Sequence, residues 1–474
     1  MDKKKIPERN DISPEYKWNL TDLFKTDDDW EKALKQIDIS GYDKFKGKIG
    51  ESASSLLNFL KFNDKISMET ERVYVYANML LHQDSRISKS QEMSNKAEML
   101  MVSLMNASAF AAPEITSIPD DKLKNFYKDE PDLETYRHYL ESVSRQKPHV
   151  LSHAEEAILA KTGSFSNAAE DIFSMINDAD IVFPNIKDEN GDNVSLTKGR
   201  YAKFMESKDR SVRKAAFDAL YETYTKQKNT LAATYYSSVK KDAFMADVRK
   251  YSSSLEAALD DDNIPLSVYE NLISSVHKYL PLMHRYVDIR KKILGVDELH
   301  PYDLYAPLSE SSDMKITYQQ AKDIILKALS PMGEEYVNAL KEGFNGGWID
   351  VYENSGKRGG AYSWGTYTCH PYVLLNHTDN LNSMFTIAHE MGHALHSYYT
   401  WKTQPYIYSG HKIFVAEVAS TCNEALLMEY MLKTTEDKGA RKYLINYFLE
   451  QFKGTFFRQA MFAEFENKAR DMVE

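Results

Sequence analysis

Cysteine is almost missing from this chain. Cys369 and Cys422 are its only two in 474 residues. That is too few for a disulfide framework, and it points to a reducing compartment. No apolar run approaches the ~18 residues that a membrane-spanning helix needs. The N-terminal Met1-Asp-Lys-Lys-Lys-Ile-Pro is basic but has no apolar stretch behind it, which argues against a secretory signal. Long basic runs are lacking too. With 59 Lys+Arg against 70 Asp+Glu the net charge is −11. Nucleic acid and anionic membrane are therefore poor candidate partners, and the acidity serves solubility. Glycines cluster between 345 and 376, but without the Gly-x-x-x-x-Gly-Lys-Ser/Thr order of a phosphate loop. Repeats, low-complexity tracts and flexible linkers are absent as well. What remains is a cytoplasmic globular protein of two or three domains.

What the chain does have is helical periodicity. Apolar residues recur at helical spacing over 30–37, 52–62, 66–81, 88–112, 133–145 and 153–161. The fourth of these carries Met93, Met99, Met101 and Met105, a stripe expected to face a core. Helical patterns resume at 199–207, 210–231, 232–248, 266–280 and 281–294. The fold class is mainly α. Two short stretches depart from it: a hairpin expected around the Gly turn at 188–192, and strands at 361–368 and 372–375. The expected division is a helical domain over 1–190 with nothing catalytic in it, and a catalytic domain over 191–474.

The chemistry concentrates in 384–396, Met-Phe-Thr-Ile-Ala-His-Glu-Met-Gly-His-Ala-Leu-His. It contains His389-Glu390-Met391-Gly392-His393, a His-Glu-x-x-His pattern. On a helix, residues four apart lie one turn above each other, so His389 and His393 can bind one zinc ion from the same face. Glu390, rotated by about 100° from His389, can reach a water at that ion. Phe385, Ile387, Ala388, Met391 and Leu395 predict a buried helix, as a dry and rigid site requires.

A catalytic zinc site takes three protein ligands. A third histidine six residues past His393, reached through a Gly turn, is excluded because position 399 is Tyr and no Gly intervenes. The alternative is Glu417, on a second helical stretch over 412–431. Phe414, Val418, Cys422 and Leu426 form an apolar stripe there, which predicts a Glu417 close to the core. Glu424 lies two turns further along the same side. It is expected to accept a hydrogen bond from a metal-binding histidine or from nearby His396. The glycine-rich stretch containing Gly360, Ala361 and Tyr362 is read as a strand edge on which a peptide backbone can lie.

His389–His396 followed by Phe414-Val-Ala-Glu-Val-Ala-Ser-Thr421 resembles the M3 family of zinc oligopeptidases, in its oligoendopeptidase F branch. Leu196-Thr-Lys-Gly-Arg-Tyr201, Ser253-Ser-Leu-Glu-Ala-Ala-Leu259, Tyr302-Asp-Leu-Tyr305 and Gly356-Lys-Arg-Gly-Gly-Ala-Tyr-Ser-Trp-Gly365 extend the resemblance along the chain. It implies a multi-helix metallopeptidase fold with a small β element beside the zinc helix, and a deep channel that admits short peptides. It implies one Zn2+ held by His389, His393 and Glu417, with Glu390 as general base. The family's oxyanion donors, a His and Tyr residues, sit on a segment that has no counterpart here. Weak activity of the chain alone is therefore expected, with a complementary C-terminal fragment as a partner that restores it. The rival class is a non-catalytic peptide-binding protein, and an intact Glu390 speaks against it. Carboxypeptidase action would need a recognisable site for a terminal carboxylate.

Overall fold

Apolar residues at spacings of three and four give long helices, and these gather into two groups. The computed structural model describes residues 6–308 and 314–473; the basic cluster at 1–5 lies outside them. One compact unit joins Met1–Lys147 to Asp313–Thr434, the other Pro148–Ser312 to Thr435–Glu474. The boundary read near 190 falls inside the second unit. Among the described residues no helix is long and apolar enough to cross a membrane.

The second unit holds the expected hairpin, β1 (Asn185–Lys187) antiparallel to β2 (Asn193–Ser195), over a core of Phe183, Ile186, Leu196 and Met205. The two helices expected at 266–294 are one, Leu266–Leu294, which runs through Pro281 and stops at Gly295 in the left-handed conformation. Asp303 is fully buried there between Arg210 and Arg213, with Arg213 Nη2 at 2.8 Å from its Oδ1.

In the first unit, the stretches read as 52–62 and 66–81 form one helix, Ala53–Gln83, capped by the Ser52 hydroxyl. It packs along Ser88–Ser108. The methionine stripe of that second helix is split. Met93 is buried, whereas Met99 and Met105 are exposed. At about 100° per residue, Met99 and Met105 each stand some 120° from Met93, while Ala97 and Leu104 complete the inward face.

Glu71, midway along Ala53–Gln83, accepts the Tyr367 N–H, and its Oε2 is buried without a partner. Burial pushes this carboxyl from the ordinary 4.5 up to about 7.

Three short strands complete the unit: β3 (Ile349–Asp350), β4 (Tyr362–Trp364) and β5 (Tyr372–Leu374), in the order β3-β5-β4. β5 runs parallel to β3 and antiparallel to β4, so β4 is an edge. Tyr372 and Leu374 join Trp18, Trp30, Val73 and Met79 in one core, which seats the sheet on the N-terminal helices. Asp350 is fully buried and paired with Arg9 and with Lys357, whose Nζ lies 2.7 Å from Oδ1. Each charge has a partner, which is what burial demands.

The histidine helix Leu381–Thr403 packs on the glutamate helix Ile413–Thr434. At Gly392 their backbones lie close together. A Cβ there would stand 2.7 Å from Ser420 Cα and 2.8 Å from the Ala419 carbonyl oxygen. Backbone blocks it, so no side chain can give way.

Two outcomes are expected. Gly392→Ala forces the helices apart and costs about 1–3 kcal/mol, read as a lower melting temperature. For Glu71, the unfolded chain ionises between pH 4.5 and about 7 while the folded chain stays protonated. Stability therefore falls as pH rises through that window. Glu71→Gln should flatten the slope, adding up to about 3 kcal/mol at pH 8 and almost nothing at pH 4.5 in denaturant titrations.

Candidate metal centre

Asn380 starts the histidine helix, its side chain accepting the Ser383 N–H at 2.8 Å. Phe385, Ile387, Ala388, Met391 and Leu395 are buried as their pattern predicts. That leaves His389 and His393 half-buried at the margin of the core, one turn apart, with their Nε2 atoms 3.1 Å from each other. Glu417 Oε2 lies 3.4 Å from the first and 3.3 Å from the second. Among the described residues these three form the one His/Cys/Asp/Glu group able to hold a metal ion.

Glu417 comes to this position from a different face than the sequence predicts. Its side chain is 61 % exposed, and Phe414, Val418 and Cys422 are exposed with it. The buried face of the glutamate helix is instead Ser420, Asn423, Leu427, Met428 and Met431. Contact at Gly392 requires small residues, and Ala419 and Ser420 supply them. The apolar stripe is thereby turned outward.

Each ligand atom is fixed from behind. Glu424 Oε1 lies 2.5 Å from His389 Nδ1, so that nitrogen carries the proton. The Ala416 carbonyl takes a hydrogen bond from His393, whose Nε2 is turned to Glu417. Ser420 Oγ donates to Glu417 Oε2 at 2.6 Å. When both imidazoles are neutral, two Nε2 lone pairs and a carboxylate oxygen converge on one point. A cation relieves that repulsion. A tetrahedral zinc with bonds of about 2.0–2.1 Å sets its ligand atoms about 3.3 Å apart, and the observed triangle fits.

Burial alone would lower the His389 pKa, but the hydrogen bond and charge of Glu424 outweigh it and the net shift is upward. His393 is lowered, chiefly by burial, with Glu417 opposing. Glu390 is only 7 % exposed, and burial pushes it up to about 7. Its carboxylate accepts the backbone N–H of Ser363, which ties it to edge strand β4.

His396 is not a partner of Glu424. It stacks on His411 with ring centres 4.1 Å apart, and its Nδ1 is buried without a hydrogen bond. Gly360, Ala361 and Tyr362 lead into and begin β4. Gly360 sits at φ +80, a conformation that favours glycine, and its carbonyl accepts from Asn376 Nδ2 at 2.8 Å.

Sequence reasoning missed Ser363, Arg358 and above all His82, which lies in the half read as carrying no chemistry. Arg358 Nη1 is 2.8 Å from His82 Nε2, and His82 Nδ1 is 2.6 Å from the Tyr362 hydroxyl. A guanidinium only donates, so His82 Nε2 accepts and Nδ1–H donates to the phenol. Burial and Arg358 push His82 down to about 4, which keeps it neutral. No local signal marks a lone histidine at the end of a helix as a partner of a residue 280 positions away.

The sequence profile of peptidase family M3 matches residues 203–473, and that of the oligopeptidase F N-terminal region matches 114–183. Oligopeptidase PepF of Bacillus subtilis is 49 % identical over 98 % of this chain and 69 % of its own length. Group B oligopeptidase PepB of Streptococcus agalactiae is 41 % identical over 97 % of this chain and 76 % of its own. The crystal structure of oligoendopeptidase-F from Enterococcus faecium superposes with a TM-score of 0.66 at 38 % identity, covering 93 % of this chain and 73 % of that one. A Chlamydophila abortus crystal structure superposes with a TM-score of 0.90 at 34 % identity, covering 99 % and 80 %.

Glu424→Ala should leave the fold intact and weaken metal binding about 10–100-fold, because His389 loses the acceptor that sets its tautomer and ring plane. Competition with a chromogenic chelator measures it.

Proposed function

We propose, from the premise that this chain belongs to peptidase family M3, that it is a zinc-dependent endopeptidase of short oligopeptides with Glu390 as its general base. The observation that carries the reading is the triangle of His389, His393 and Glu417 ligand atoms beside a buried carboxyl. His389 and His393 through Nε2, and Glu417 through Oε2, are the groups that would hold the ion. Zinc, when bound, supplies Lewis acidity and brings the pKa of a water from about 15.7 to about 7.

The chain's own residues do the rest. Glu390 takes the proton of the attacking water on its carboxylate and returns it to the leaving amine. The Ser363 N–H holds that carboxylate in place, so the base and the strand edge keep a fixed relation. Gly360, Ala361 and Tyr362 offer a backbone edge along which an extended peptide can lie. Glu424 keeps His389 in the tautomer that presents Nε2. All these catalytic assignments fall within the 191–474 segment read as the catalytic domain. Two free thiols, Cys369 and Cys422, suit a cytoplasmic setting.

A second reading is a zinc-containing peptide-binding protein with little turnover of its own. Exposed Ile413, Phe414 and Val418 beside Glu417 favour it, since apolar side chains of a bound peptide could lie against them.

Glu390→Gln separates enzyme from binder. Zinc content should be unchanged and kcat on an internally quenched peptide should fall by about 10²–10⁴. An unchanged rate would leave only the binding reading.

A further inference from the structure

Asn423 is fully buried on the inward face of the glutamate helix, next in sequence to Glu424. Its Nδ2 donates to the Ala388 carbonyl at 3.0 Å, and Ala388 precedes His389. The orientation of this amide is dictated by its partners. A carbonyl only accepts, so the NH2 faces Ala388 and Oδ1 faces the other way. There it meets the Tyr336 hydroxyl at 2.8 Å, which must be the donor. Tyr336 belongs to a third helix, Glu334–Asn345. Its ring stacks on Tyr399 of the histidine helix, centres 6.4 Å apart and 17° from parallel. Burial pushes its phenol up to about 12, so it keeps its proton.

Two links therefore cross between the helices at neighbouring positions. Asn423 reaches Ala388, and His389 reaches Glu424. The second orients a ring that would hold the metal. The first touches neither metal nor substrate, but it fixes how far one helix slides along the other. An apolar contact such as Gly392 on Ser420 sets the spacing of the helices and tolerates sliding. A buried, directional hydrogen bond does not.

We propose that Asn423 is a positioning residue, aligned by Tyr336, whose bond to Ala388 sets the register of the glutamate helix so that the Glu417 carboxylate meets the two imidazoles. This rests on the zinc reading above and adds to it a residue outside the ligand set.

The test uses the full chain and reads metal binding without activity. Zinc affinity is measured by chelator competition, and ligand geometry by the visible spectrum of the Co2+-substituted protein. Asn423→Leu, which keeps the branched shape but removes both hydrogen-bonding groups, should bind zinc about ten-fold or more weakly and show an altered Co2+ spectrum. Tyr336→Phe leaves the amide in place but frees it to rotate, and should shift both readouts in the same direction by less. This second variant carries the test if Asn423→Leu does not fold. Leu427→Ala, a cavity on the same buried face, should lower the melting temperature with the Co2+ spectrum unchanged.

Wild-type affinity and spectrum in both Asn423→Leu and Tyr336→Phe would overturn the inference. So would a Leu427→Ala variant that loses zinc as steeply for each degree of melting temperature, since the effect would then be general loosening. A wild-type chain that binds no zinc is a different failure, and it sinks the proposed function itself.

Discussion

The close contact between the histidine helix and the glutamate helix is the constraint on which the site depends. Glycine at 392 lets backbone meet backbone at Ala419 and Ser420. Only at that distance can Glu417 Oε2 stand within 3.4 Å of both imidazole nitrogens while Glu424 reaches His389 from behind. Two ordinary helices, held apart by side chains at 8–10 Å between axes, gain from any apolar overlap and do not specify one arrangement. Here the small-residue contact and the polar strip of Ser420, Asn423 and Glu424 act together. One removes the space between the helices and the other removes their freedom to slide.

A second dependence runs through the sheet. Edge strand β4 is anchored on one side by β5, whose Tyr372 and Leu374 sit in the core built by the N-terminal helices. On its other side it gives the Ser363 N–H to Glu390. His82, at the end of Ala53–Gln83, adds a fixed donor to Tyr362. The N-terminal segment holds the strand that lies against Glu390, although its own sequence carries no recognisable motif. Asp350, buried between Arg9 and Lys357, ties the chain's first helical turns to the same sheet.

Much of this was legible in the sequence, and for a common reason. The histidine helix, its apolar face and the His-Glu-x-x-His spacing are local: each needs only 3.6 residues per turn and the side chains within two turns. The hairpin around Gly191 and the strands near 362 and 373 were legible on the same grounds, since turn chemistry and alternation are short-range. Errors arose where the deciding partner was distant. The stripe of Phe414, Val418 and Cys422 looked like a core face because apolar residues at helical spacing usually are one. The small residues on the opposite side won, because Gly392 admits nothing larger. Met99 and Met105 are exposed for a similar reason: the helix has one inward face, and Ala97 and Leu104 already occupy it with Met93.

The sequence by itself determined the chemistry available: two imidazoles one turn apart, a carboxyl between them, a second helix bearing acids at 417 and 424, and a mainly helical chain to carry them. Tertiary structure decided which atoms meet. It chose the exposed face for Glu417, assigned Glu424 to His389 and left His396 stacked on His411. It also brought His82 to the edge strand and the Ser363 N–H to Glu390. Local patterns follow from backbone geometry within a few residues, whereas helix register and tautomer are set by contacts between segments far apart in the chain.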